Sequence, residues 1–212
     1  MKIENEAKKF GMDIKNLNIV ERQSRDRLID VFRSISSIEY VQKLVDSLPY
    51  LGAILNEQRQ IVFANSALME FLGIEAFEKV IGKRPGETLD CKNAEVGPDG
   101  CGTSRNCVVC GALNSIYESQ INQKKVTKEC RISSISENRN ISYDFKVTST
   151  PFEWHKHKYT LFALEDISAD KRRRSLEKIF FHDVLNKTSA MYGFLQLLQS
   201  ETEQNRVKDF RS

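Results

Sequence analysis

The sequence predicts an α+β fold with one five-stranded antiparallel sheet, flanking helices and a long helix at each end. Apolar runs of strand length occur first as a pair and then as a triplet, with turn residues and helical periodicity between them. Helical periodicity then returns on both sides of this central part. These patterns divide the chain into an N-terminal helical and dimerisation segment (1–43), a sheet domain (44–168) and the start of a second helical region (169–212).

Composition limits the class of protein. The chain has 212 residues, of which 40% are hydrophobic and 29% charged, enough to bury one core. Its net charge of +3 is too small to predict a nucleic-acid partner. No apolar run approaches the roughly 20 residues of a membrane helix, and the N-terminus lacks the apolar core of a secretory signal. We therefore expect a cytoplasmic protein without a membrane span, in a compartment where disulfides are rare.

The N-terminal element is predicted as one helix over 20–47. Its apolar residues follow the 3-4 spacing of a coiled-coil seam over about three heptads. The seam residues are Leu28, Val31, Ile35, Ile38 and Val45. Pairing with a second copy of the chain is the favoured interpretation, and packing of the same face on its own domain is the alternative.

A hairpin and a short capped helix are predicted next. Pro49 ends the first helix, and the apolar runs Leu51–Leu55 and Ile61–Ala64 flank a polar turn. Asn65 or Ser66 is placed to cap the helix that follows. The apolar face of that helix is Ala67, Leu68, Phe71 and Leu72, and Gly73 ends it.

The remaining elements alternate loop, helix and strand. A second short helix is predicted over Glu75–Val80, an ordered loop over 83–106, and a helix from near Cys107. Three strands complete the sheet: Val126–Ile135, Ile141–Thr150 and Tyr159–Asp166. A final helix runs from about residue 167 to about residue 200.

Four of the five cysteines lie within 20 residues, and they are the candidate metal ligands Cys91, Cys101, Cys107 and Cys110. The two-residue spacing between Cys107 and Cys110 lets two sulfurs reach one metal, and we expect it on the first turn of a helix. The positive end of the helix dipole would there lower the thiol pKa. Four thiolates suit tetrahedral zinc or an iron–sulfur cluster.

Spacing alone does not choose between zinc and iron. An iron–sulfur cluster is favoured because oxygen or oxidants can oxidise or dismantle it, whereas zinc would be structural. Reversible dithiol chemistry and unligated thiols remain open. Cys130 is predicted to be a small buried core residue, or a substitute ligand if Cys91 stays out of the set. His155 and His157 are predicted to face solvent, and binding of haem or a metal is the alternative.

Two stretches of the chain resemble the PAS family of sensor domains. Leu48–Gly73 (LPYLGAILNEQRQIVFANSALMEFLG) is similar to the family's opening strand pair and Asn-led helix, and Tyr159–Arg173 (YTLFALEDISADKRR) to its final strand. The resemblance covers about residues 44–168 and implies a sensor domain. The string GCGTSRNCVVCGALNSI also resembles a cysteine-bearing variety of PAS domain attached to bacterial histidine kinases.

The segment Phe180–Leu198 resembles the phosphoacceptor helix of sensor histidine kinases, which carries His-Asp-x-x-Asn. In a helix, His182 and Asn186 would share one face. The resemblance implies that His182 accepts the phosphoryl group, that Asp183 orients the ring and takes its proton, and that Asn186 positions the reacting groups. The alternative is that the three are ordinary surface residues.

Together the two resemblances imply the sensory and phosphoacceptor portion of a cytoplasmic, homodimeric two-component histidine kinase. It would sense redox state, oxygen or a metal through its cysteines and relay the signal to His182 and a response regulator. No segment resembles the Asn- and Gly-rich boxes that hold ATP, so we expect ATP to act only through a kinase domain outside these residues. The chain alone should then have no kinase activity, either because it is truncated before that domain or because a partner phosphorylates it. Two rivals remain: a PAS ligand-binding and dimerisation module with structural zinc, and a phosphotransfer protein without its own kinase domain.

Overall fold

The computed structural model describes residues 22–38, 40–136 and 139–209; residues 1–21 of the predicted N-terminal segment lie outside this range. The chain divides into two units between Ile167 and Ser168. The first unit contains a five-stranded antiparallel sheet with flanking helices, and the second contains one long helix. The predicted fold class is confirmed. No helix within the described ranges is long and apolar enough to cross a membrane.

The sheet has the strand order β2-β1-β5-β4-β3. Its strands are β1 (Leu51–Asn56), β2 (Ile61–Ala64), β3 (Val126–Ser136), β4 (Arg139–Trp154) and β5 (His157–Asp166). The helices are α1 (Arg25–Ser36), α2 (Val41–Asp46), α3 (Ser66–Phe71), α4 (Pro85–Thr88), α5 (Lys92–Val96), α6 (Gly111–Asn122) and α7 (Ser168–Asp209). Two 3-10 turns, Phe77–Lys79 and Arg105–Val109, complete the set.

Alternation along the strands gives the sheet two apolar faces. Leu55 and Phe162 belong to the main core, together with apolar residues of α3 and α6. Ile54 and Tyr159 belong to a second cluster on the other face, which α1 covers. Successive side chains of a strand point to opposite faces, so a strand that is covered on both sides is apolar throughout.

Helix α1 packs on its own sheet. Leu28 and Ile35 are 1% and 4% exposed and lie in the cluster with Ile54. The helix ends at Ser36, and α2 begins only at Val41. The prediction of one continuous helix over 20–47 is therefore wrong. The seam residues Leu28, Val31 and Ile35 pack α1 on the sheet, whereas Ile38 lies beyond the helix and is 43% exposed. Dimerisation through this segment stays a prediction.

Asn65 is the cap of α3, as predicted. Its side-chain oxygen accepts hydrogen bonds from the Leu68 N–H at 3.0 Å and the Gly52 N–H at 2.8 Å. Its amide nitrogen donates to the Tyr50 carbonyl at 2.8 Å. One buried amide thus joins the start of α3 to the start of β1, because it satisfies backbone groups on both.

The region predicted as a loop over 83–106 contains the short helices α4 and α5 instead. Pro85 stands at the first position of α4, where its missing N–H and fixed φ favour a helix start. Helix α6 begins at Gly111, so Cys110 is its N-cap residue and Cys107 lies in the preceding 3-10 turn. The prediction that both cysteines lie on the first turn of this helix is therefore wrong, because both precede its first residue. The final helix continues to Asp209, beyond the predicted end.

Candidate functional site

All five cysteines line one cavity of about 390 Å³ in the first unit. Its wall is formed by the chain from α4 to α6 and by strand β3. Cys91 and Cys101 come from the segments around α5, Cys107 from the 3-10 turn, Cys110 from the start of α6 and Cys130 from β3. The structure therefore brings the four candidate ligands to one place and adds the fifth thiol to them.

Cys110 and Cys130 are close neighbours, with their Sγ atoms 3.7 Å apart. Gly111 makes this approach possible, since a β-carbon at this position would overlap the carbonyl oxygen of Glu129 on β3. Cys130 is buried in the main core, as predicted, and is also part of the cavity wall. Its strand context could not reveal the second property, which depends on how α6 docks on β3.

Two charged side chains hold the loop that carries Cys101: Arg84, the N-cap residue of α4, and Glu87 within α4. Arg84, which is fully buried, donates to the carbonyl and carboxylate oxygens of Asp99 at 2.8 and 3.2 Å and to the Cys101 carbonyl at 3.3 Å. Glu87 accepts from the Cys101 N–H at 3.1 Å and from Arg22 at 2.6 Å. Burial acts to raise the pKa of Glu87, but these hydrogen bonds outweigh it and leave the pKa below its ordinary value.

Arg59 lines the same cavity from the turn between β1 and β2 and is only 2% exposed. Within the described part of the chain, none of its three guanidinium nitrogens has a hydrogen-bond partner. The guanidinium carbon lies 5.2 Å from the centre of the Tyr117 ring. Gly102 packs against the guanidinium so closely that a β-carbon there would overlap Nη1, and its φ of +93° also favours glycine. Sequence reasoning missed Arg59, because a charged residue in a polar hairpin turn normally faces solvent.

Burial controls the protonation of the loop thiols. It raises the pKa of Cys101 to about 12 and also raises the pKa values of Cys91 and Cys107. The positive charge of Arg59 acts in the opposite direction at Cys101 and Cys107, but it is the smaller influence. These thiols are therefore protonated near neutral pH, and binding of a metal would have to displace their protons.

The two thiols at the start of α6 and on β3 share one hydrogen bond. This bond, followed by burial, raises the pKa of Cys110 well above its ordinary value, and it lowers the pKa of Cys130. Backbone N–H groups at the start of α6 act to lower the pKa of Cys110, as a helix N-terminus should, but they are outweighed. The lowering effect predicted for the helix N-terminus is therefore present at Cys110, but the net pKa of this thiol is raised.

The donor chemistry of the cavity fits a soft metal or an iron–sulfur centre, because thiolates are the ligands that both prefer. A single tetrahedral zinc needs its sulfurs about 3.8 Å apart, given Zn–S bonds of about 2.3 Å. Cys110 and Cys130 have this separation. Among the described residues, however, no group of three His, Cys, Asp or Glu side chains is close enough to hold one metal ion.

The second unit carries the predicted phosphoacceptor residues on α7. Asn186 Nδ2 lies 3.2 Å from His182 Nδ1, which confirms that the two share one helical face. An Asp183 carboxylate oxygen lies 3.6 Å from the same ring nitrogen. The His182 side chain is 73% exposed, so a partner protein could reach it. His155 and His157 are exposed in and beside the turn between β4 and β5, as predicted.

No protein-family profile matches the chain, and no curated protein is significantly similar to it. Solved structures are similar in fold. A PAS domain from a two-component sensor histidine kinase is 11% identical, with a TM-score of 0.41 over 63% of this chain and 98% of its own. The PAS domain of a nitrogen regulation protein from Vibrio parahaemolyticus is 13% identical, with a TM-score of 0.43 over 59% of this chain and 96% of its own. A light-oxygen-voltage (LOV) protein from Rhodobacter sphaeroides is 12% identical, with a TM-score of 0.43 over 63% of this chain and 68% of its own. At these identities the likeness concerns the fold alone.

Proposed function

We propose that the chain is the sensory and phosphoacceptor portion of a cytoplasmic two-component histidine kinase, and that its cysteine cavity holds an iron–sulfur cluster. The observation that carries the proposal is the convergence of all five thiols on one cavity. Cys91, Cys101, Cys107 and Cys110 are the proposed ligands, with Cys130 beside Cys110 as a fifth donor. When bound, such a cluster supplies a centre that oxidants or oxygen can alter.

Redox chemistry favours a cluster over a single zinc ion, because oxidants or oxygen can alter a cluster, whereas a zinc ion would be structural. The buried positive charge of Arg59 beside the thiols also suits an anionic centre. A ligand-binding module with structural zinc is the alternative, and metal analysis of the purified protein distinguishes the two.

A short path of paired residues leads from the cavity to the end of the sheet. Cys130 on β3 pairs with Phe145 on β4, and Phe145 pairs with Asp166 on β5. Three adjacent strands span only about 10 Å. The Ile167 N–H then donates to the Asp144 carbonyl at 2.8 Å, immediately before α7 begins at Ser168. A change in the position of Cys130 can therefore reach the strand from which the output helix emerges.

On α7, the chemistry proposed for His182 needs a neutral ring nitrogen that attacks the γ-phosphorus of ATP held by a kinase domain. Asp183 would orient the ring and accept its proton, and Asn186 would position the reacting groups. The phosphoryl group would then pass to a response regulator. Exposed apolar side chains along α7 suit pairing with a second copy of the helix; they include Leu176, Phe180, Val184, Met191 and Phe194.

The cluster is tested on protein purified without oxygen. We expect broad absorbance between about 300 and 450 nm, together with bound iron and sulfide. The variant Cys107→Ser should lose these bands, whereas Thr127→Ala on an exposed position of β3 should retain them. A colourless wild-type protein with stoichiometric zinc would contradict the cluster and favour the structural-zinc module.

The phosphoacceptor is tested by incubating the chain with a histidine-kinase ATP-binding domain and labelled ATP. His182→Gln should abolish labelling, and His155→Gln, at an exposed histidine of the first unit, should not change it. Equal labelling of wild type and His182→Gln would end the assignment. Labelling by a separate complete histidine kinase, but not by an ATP-binding domain alone, would favour a phosphotransfer protein without its own kinase domain.

The 3.7 Å separation of the two sulfurs favours one second candidate, a reversible disulfide between Cys110 and Cys130. Two thiols would lose two protons and two electrons to a peroxide or a disulfide, and one S–S bond would form. Mass spectrometry of the oxidised, metal-free chain should then find a peptide pair joined through these two cysteines. A different pairing, or none, would remove this candidate.

A further inference from the structure

The unpartnered guanidinium of Arg59 distinguishes it from the other buried arginine of the cavity wall. Arg84 is as deeply buried, but its nitrogens donate to oxygens of Gln58, Asp99 and Cys101. Arg59 is 2% exposed, and the described residues provide no hydrogen-bond acceptor for any of its nitrogens. The hydrogen bonds of Arg84 thus stabilise the folded loops around it, whereas the N–H donors of Arg59 remain available to a ligand.

A buried cation without a hydrogen-bond acceptor destabilises the folded protein, because the cation loses its hydration and gains no counter-charge. The Tyr117 ring offsets only part of this cost, since a cation–π contact is weaker than a charge-assisted hydrogen bond. Unlike lysine, an arginine side chain keeps its charge in a protein interior, so this cost persists in the empty cavity. Gly102 keeps space for the guanidinium at the cavity wall, where a larger residue would overlap it.

We infer that Arg59 is the counter-charge of an anionic centre in the cysteine cavity, where it donates hydrogen bonds to sulfur and thereby sets the affinity and reduction potential of that centre. This inference rests on the proposed function. A metal centre with four thiolate ligands is negatively charged, and no other buried cation of the cavity wall within the described residues lacks an acceptor. A free oxyanion fits less well, because apolar side chains form much of the wall; they include Pro85, Ala94, Ala112, Leu113 and Ile132.

The role of Arg59 predicts effects of opposite sign on the empty and the loaded protein. Replacing it by Met removes a buried charge that the metal-free protein does not use. The metal-free Arg59→Met variant should therefore unfold at the same temperature as wild type or higher, while Arg84→Met should unfold at a lower temperature. Once loaded, Arg59→Met should hold its metal more weakly, by the roughly 10- to 100-fold typical of residues that support metal ligands.

The experiment compares wild type, Arg59→Met, Arg59→Lys and Arg131→Met, in which an exposed arginine at the same cavity is replaced. Cobalt(II), added without oxygen, reports affinity through its thiolate absorption bands, and a redox titration of the reconstituted cluster reports the midpoint potential. Arg59→Met should weaken cobalt binding and shift the potential to more negative values, because a positive charge stabilises the reduced form. Arg59→Lys should recover part of both effects, and Arg131→Met should match wild type.

The outcomes separate this inference from the proposed function. If wild type binds neither cobalt nor a cluster, the proposed function fails and the role of Arg59 fails with it. If wild type binds them and Arg59→Met has the same affinity and potential, the role of Arg59 alone is wrong. A metal-free Arg59→Met protein that is as unstable as Arg84→Met, or does not fold, makes Arg59 a structural residue and also overturns the inference.

Discussion

Gly111 determines how closely the start of α6 can approach strand β3. Its position leaves no space for a β-carbon beside the Glu129 carbonyl, and this contact brings Cys110 to Cys130. A substitution with a larger residue must move the helix, the strand or both. The geometry of the thiols therefore depends on one residue that has no side chain of its own.

Gly111→Ala should destabilise the first unit by about 1–3 kcal/mol, the usual cost of forcing an extra carbon into a packed site. It should also weaken metal binding, since Cys110 moves away from Cys130. Urea unfolding and cobalt(II) titration measure the two effects. Gly193→Ala on α7 is the matched control, because a β-carbon there meets nothing within 4 Å. Equal stability and metal binding in the two variants would contradict this account.

Glu87 supports the Cys101 loop only while it is ionised. Its pKa in the folded protein lies below the ordinary value of 4.5, so its contribution to stability is present above pH 4.5 and is lost as the pH falls through the folded pKa. Glu87→Gln should cost about 2 kcal/mol at pH 7, as expected for a hydrogen-bonded charge. The difference from wild type should shrink below pH 4.5. Urea unfolding across this range measures it, and a constant difference would show that ionisation of Glu87 is not the cause.

Glu165→Gln is the control for this titration. Glu165 pairs with Lys146 at 2.9 Å, but both side chains are largely exposed. An exposed ion pair contributes little to folding. This control variant should therefore change the free energy of unfolding by less than about 1 kcal/mol, both at pH 7 and below pH 4.5.

At the scale of elements, helix α1 belongs to the sheet domain. Its apolar stripe satisfies the spacing of a seam and of a sheet-covering helix equally well, and burial of Leu28 and Ile35 decides between them for these residues. The strands and the Asn65 cap were predictable because alternation and capping are local patterns. The one-turn helices α4 and α5 were not, because four or five residues carry too little periodicity to recognise.

Leu28→Ala should destabilise the first unit by about 2–5 kcal/mol, because it leaves a cavity between α1 and the sheet. Leu44→Ala on α2 removes the same atoms from a side chain that is 65% exposed, and should change stability by less than about 0.5 kcal/mol. Urea unfolding compares the two. Similar small effects in both variants would mean that α1 does not pack on the sheet.

At the scale of the whole chain, the candidate site depends on contacts between residues that are far apart in sequence. Local patterns identified four of the cysteines and the His182 motif, because each is written in a short segment. They offered Cys130 only as a substitute ligand and did not identify Arg59, because strand pairing and hairpin position bring these two to the site. The sheet that completes the cavity also extends to the point where α7 starts, so the cavity wall and the residue before α7 belong to one set of strand hydrogen bonds.

The pairing of these strands predicts which backbone amides change their hydrogen exchange when the cavity is loaded with a metal centre. If the pairing of Cys130, Phe145 and Asp166 transmits the change, loading should alter hydrogen exchange along β3, along β4 near Phe145 and at the Ile167 amide, which bonds to Asp144. Strand β2 lies at the opposite edge of the sheet and should exchange at the same rate in both states. The measurement is hydrogen–deuterium exchange with mass spectrometry on metal-free and loaded protein without oxygen. Changes confined to residues 86–113 would show that the structural change stops at the cavity wall, and would contradict transmission through the sheet.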